Sequence, residues 1–71
     1  MKEFECVHKG DIYLCQVNSG VYGGASIAIY KIRQGRAPKP VMNKCLRNEV
    51  EAMAEMEKYL PDAVWREKNH A

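Results

Sequence analysis

The sequence predicts a small α+β domain, an antiparallel sheet of three to four strands with one amphipathic helix packed on one face. Three observations predict it. Two strand-forming runs flank the turn-prone pair Gly10-Asp11. A third run, from Ala25 to Arg33, is apolar at both parities. A segment rich in helix formers, Glu49 to Leu60, follows a good capping residue, Asn48. At 71 residues the chain is roughly half an average domain, so one domain is expected over 1–71. Strands and loops fall in 1–47, the helix in 48–60 and a tail in 61–71.

The first two strands are expected over Glu3 to His8 and Ile12 to Val17. Glycine at the first central position suits a type II′ turn, which places Gly10-Asp11 at the tip. Counting outward then opposes Lys9 to Ile12, His8 to Tyr13, Val7 to Leu14, Cys6 to Cys15 and Phe4 to Val17. One face of this hairpin collects Phe4, Cys6, Tyr13, Cys15 and Val17, the better candidate for the core. The other carries Glu3, Glu5, Gln16 and Asn18, with Val7, Ile12 and Leu14 near the turn.

Asn18 to Gly24 is a loop by its glycines. The third strand follows with Ala25, Ile27 and Ile29 on one side and Ala28, Tyr30 and Ile32 on the other, a pattern that asks for cover on both sides. Gln34 to Pro40 is a connection, because Gly35, Pro38 and Pro40 oppose regular pairing. Val41 to Leu46 fits a short fourth strand better than a first helical turn. In the helix, Asn48 and Glu51 form a capping-box-like pair, and Val50, Met53, Met56, Tyr59 and Leu60 form the apolar stripe. Pro61 ends it, and Ala63, Val64 and Trp65 are expected to fold back on the body.

Composition bounds the class. Hydrophobic residues make up 46% and charged residues 28%, ordinary for a globular chain and too apolar for a disordered one. The longest charge-free run, Ile12 to Tyr30, is broken by polar residues and three glycines, which excludes a transmembrane helix. Met1 to Glu5 has no apolar core, so no secretory signal is expected. Three cysteines argue against a fully paired disulfide framework and for a reducing, cytoplasmic compartment.

The charges are unevenly placed. Residues 1–30 set Lys2 and Lys9 against Glu3, Glu5 and Asp11. Residues 31–47 hold Lys31, Arg33, Arg36, Lys39, Lys44 and Arg47 with no acid, and the remainder is acidic. Asymmetry of this kind concerns partners more than fold. The stretch Arg33 to Pro40 in part resembles the AT-hook, an arm that lies in the DNA minor groove. The hook's core is Gly-Arg-Pro, whereas here Ala37 separates Arg36 from Pro38.

No catalytic constellation emerges. Cys6, His8 and Cys15 share a hairpin face, and Cys45 on the fourth strand is near enough in principle to complete a zinc set or to leave a cross-strand disulfide between the first two. Their spacing lacks the close Cys pair of zinc sites, so buried thiols are the expectation, with no metal and no cofactor. The glycines at 20, 23 and 24 match no phosphate-loop pattern. The Glu-rich helix side is expected to be solvated.

One helix shields one sheet face. The other face is expected to present apolar area, and such patches mark association surfaces. The expected function is therefore a non-enzymatic protein-interaction module, a regulator or inhibitor. Its contacts would be Ile12, Leu14, Ile27, Ile29 and an exposed Tyr22, assisted by the basic residues 31–47. A homodimer through that face is the mildest form of the same idea. The alternative is a nucleic-acid-binding module using the six basic residues. A competing expectation is that Trp65 and the tail seal the second face and leave nothing free.

Overall fold

The computed structural model describes residues 1–20 and 22–68; the last three positions of the expected tail lie outside the described residues. In chain order the elements are β1 (Lys2–His8), β2 (Asp11–Ser19), β3 (Ala25–Ile32), β4 (Lys39–Leu46), α1 (Glu49–Tyr59) and β5 (Arg66–Glu67). The strands form one antiparallel sheet in the order β4-β3-β2-β1-β5, and α1 packs on one face. The fold class is the expected one, with a fifth, two-residue strand added from the tail. No helix among the described residues is long and apolar enough to cross a membrane.

The β1–β2 turn corrects the expected register. Its central residues are Lys9 and Gly10, both at positive φ (52° and 84°), the type I′ geometry whose twist matches that of the flanking strands. His8 therefore opposes Asp11, Cys6 opposes Tyr13, and Phe4 opposes Cys15. The slip moves each pair by two positions in total, so no side chain changes face. The expected core face survives the wrong turn, but the expected Cys6–Cys15 pairing does not.

The β2–β3 register sets Val17 opposite Ile27 and Cys15 opposite Ile29. Ile27 and Ile29 therefore join the α1 face and are 1% and 0% exposed. They pack with Phe4, Cys15, Val17, Ala25, Ala52 and Met56 as the core. Each such aliphatic side chain contributes about 1.5–3 kcal/mol on burial. Cys6 is buried on the same face.

β4 starts earlier than expected, at Lys39, and takes Pro40 into the strand. An edge strand tolerates proline because one row of its backbone groups needs no ladder partner. A register shift skips Val41 between the pairs Ile29–Met42 and Tyr30–Pro40. With this bulge, Val41 and Met42 both pack against the core.

In α1 the Asn48 side chain accepts from the Glu51 N–H at 2.9 Å, the expected cap. Glu51 reaches back to the Arg47 N–H at 3.3 Å, one residue beyond the usual capping-box partner. The buried helix residues are Ala52 and Met56, with Met53 partly buried. Val50 and Tyr59 are exposed, which corrects the expected stripe. Glu49 is held by Lys2 at 2.6 Å and the Ser19 hydroxyl at 2.9 Å, tying the helix start to the sheet.

After Pro61 the chain turns back, and β5 pairs with β1 through Phe4–Glu67 and Glu5–Arg66. Trp65 packs against the core and, with Phe4, Met53, Met56, Glu57, Pro61 and Ala63, borders a cavity of about 370 Å³. Its indole N–H is buried without an acceptor among the described residues.

Candidate functional site

Alternation along the strands decides what faces away from α1. The registers align Val7 of β1 with Ile12 of β2, and Ile12 with Ile32 of β3. Extending the β1–β5 register by two residues brings Val64 alongside Val7, and Val64, Val7 and Ile12 border one hollow with Glu5, Cys6 and Arg66. Four branched aliphatic side chains thus run in a line across the sheet, 80%, 69%, 46% and 36% exposed from Val64 to Ile32.

A second row lies beside the first. Leu14 opposes Tyr30, and both, half-buried, border a hollow with Gln16 and Pro38. Beyond it the face turns polar, with Glu3, Gln16 and Ala28 in register and Ala28 opposite Asn43. Gln16 donates to the Glu3 carboxylate at 3.0 Å. The apolar area is therefore confined to one end of the sheet, the end that holds the β1–β2 and β3–β4 connections. Trp65 lies with Phe4 and Met56 on the other side of the sheet, so the expectation that it seals this face is overturned.

Ile12 borders two hollows, one toward Val64 and one toward Lys31, Ile32 and Arg33. It and Leu14 lie where the sequence places them. Ile27 and Ile29 do not, being sealed beneath α1. Tyr22 is fully exposed in the β2–β3 loop, at the opposite end of the sheet from the stripe. Val7, Ile32 and Val64 complete the stripe, and Val64 is missing from the sequence-based contacts because it precedes a strand of only two residues, which leaves almost no periodic signal.

The six basic residues do not form one surface. Lys44 pairs with Glu55 at 3.3 Å and Arg47 with Glu51 at 3.2 Å, both toward α1. Lys31 pairs with Asp11 at 3.4 Å. Lys39 opposes Lys31 in β4 and so shares its α1-side parity, while Arg33 and Arg36 remain on the β3–β4 connection, where the Arg33 guanidinium donates to the Ala37 carbonyl at 3.0 Å. The β1–β2 turn adds Lys9 at the same end. None of these four has an acidic partner among the described residues.

The cysteines divide between the faces. Cys45 opposes Ser26 and is exposed, away from the buried Cys6 and Cys15. Burial pushes the Cys15 thiol up to about 12, and pushes Cys6 up as well. Neutral thiols at these positions are poor nucleophiles and poor metal ligands. No group of three potential metal ligands occurs among the described residues.

A comparison with protein-family models, curated proteins and solved structures finds no match to this chain.

Proposed function

We propose that this chain is a small protein-binding module, a regulator or inhibitor, whose contact surface is the open end of the sheet. The observation that carries this reading is the in-register line of Val64, Val7, Ile12 and Ile32, flanked by Leu14 and Tyr30. Scattered exposed aliphatics need no explanation, whereas a contiguous line across three strands and the segment leading into β5 is the kind of patch that association covers. Ile12, between two hollows, is the anchor of this surface. Lys9, Arg33 and Arg36, at the same end of the sheet, form its basic rim, which speeds encounter with an acidic partner.

The test is capture from lysate with the wild-type protein and with Ile12→Asp or Val7→Asp, each with and without nuclease. The reading expects a captured protein that survives nuclease and is lost with either substitution. Capture indifferent to both substitutions overturns it.

A second reading, nucleic-acid binding, is favoured by one observation: Lys9, Arg33 and Arg36 lack acidic partners among the described residues and lie at one end of the sheet. Under that reading capture disappears on nuclease treatment, and affinity falls steeply with salt.

A further inference from the structure

We propose that the occupant of the open face is an amphipathic helix of a partner protein, acidic along one flank of its apolar side. This rests on the reading of that face as the binding surface and names what lies on it.

Spacing selects a helix. Neighbouring strands stand about 4.8 Å apart, so the line from Val64 to Ile32 spans about 14 Å in three steps. Three helical turns cover about 16 Å, one turn per strand crossed. An extended segment presents same-side residues about 6.7 Å apart and overshoots to about 20 Å over three steps. The line is also flanked on one side only by Leu14 and Tyr30, giving a band of the width that one helix stripe fills.

Charge selects the sequence of that helix. On the hairpin-turn side of the line stand Lys9, Arg33 and Arg36, with no acidic partner among the described residues. On the opposite side Glu5 is already matched by Arg66 at 3.3 Å. Acidic residues are therefore favoured on one flank of the incoming helix and not on the other.

Charge disfavours a second copy of the chain, and the aliphatic lining disfavours nucleic acid. Copies meeting two-fold through this face bring to each basic rim either its mate or Glu5, which Arg66 already holds. Single-stranded nucleic acid is held by bases stacking on aromatic side chains, whereas this line is aliphatic, with Tyr30 the one aromatic beside it among the described residues.

The experiment selects random peptides, long enough for four helical turns, against the immobilised full-length protein. Peptides with apolar residues at helical spacing and Asp or Glu gathered on one flank support the proposal. Exchanging those acids for lysine is expected to weaken binding about tenfold or more, and Ile12→Asp about thirtyfold. Val64→Asp, on an exposed residue outside the regular strands, repeats the test without threatening the fold. Selected peptides that are basic, acid-free or alternate every second residue overturn the proposal, as does failure to select any. A dimer in sedimentation that Ile12→Asp splits also overturns it, while keeping the face as the binding surface. Poly-dT that perturbs the Ile12 and Ile32 amides overturns it in favour of nucleic acid. Selected peptides indifferent to both substitutions remove the face itself.

Discussion

Cys15 stands directly across the β1–β2 ladder from Phe4, and both side chains lie in the core that Ala52 and Met56 of α1 complete. Cys6 opposes Tyr13 on the same buried face, while Cys45 opposes Ser26 and meets solvent. In the native protein a disulfide-exchange reagent is therefore expected to titrate one thiol quickly and two only after unfolding. Labelling followed by peptide mass mapping checks that the fast site is Cys45.

Burial also gives Cys15 a pH signature. Its folded pKa lies near 12 against an ordinary value of 9.0. The unfolded chain thus releases this proton first, and above about pH 9 proton release favours unfolding. The stabilisation is complete below that value and is lost as pH rises toward 12. Denaturant midpoints are expected to fall along this alkaline limb, and less steeply in Cys15→Ala than in wild type.

Ile29 and Ile12 separate core from contact surface. Ile29→Ala deletes methylenes from a fully buried site and is expected to cost about 2–5 kcal/mol. Ile12→Ala, on the open face, is expected to stay within about 0.5 kcal/mol in stability while weakening association. Urea unfolding beside a binding assay distinguishes the two effects.

Lys9 holds positive φ at the first central position of a turn that prefers asparagine there. Lys9→Asn is expected to stabilise the protein by about 0.5–1 kcal/mol, read as a raised melting temperature. Lys9→Val is expected to destabilise it, since a branched side chain tolerates that backbone poorly.

Much of the architecture is legible in the sequence because burial is written in parity. The misplaced β1–β2 turn shifts every pair yet leaves Phe4, Cys6, Tyr13, Cys15 and Val17 on the core side. The helix is legible because Asn48 and the helix formers after it act locally. β3 is different: apolar at both parities, it gives periodicity nothing to choose between, and only its pairing with Val17 and Cys15 sends Ile27 and Ile29 inward. Ala52 and Met56, four residues apart, mark the buried side of α1, and Val50, two residues from Ala52, points about 200° round the helix and meets solvent. The ion pairs that draw Lys44 and Arg47 onto α1 depend on how the helix lies across the sheet, which no run of charges records.

Among the described residues, β5 gives the longest-range stitch. A meander knits each strand to the one before it, but Arg66 meets Glu5 from 61 positions away, and the seam is two residues long, reinforced by the Lys68 amide on the Glu3 carbonyl at 2.7 Å. So short a ladder is the first to breathe, and when it lifts, Val64 leaves the line that Val7 continues. A guest lying across both would act as a clasp. Its arrival should slow hydrogen exchange at Lys68, coupling occupancy of the surface to closure of the seam.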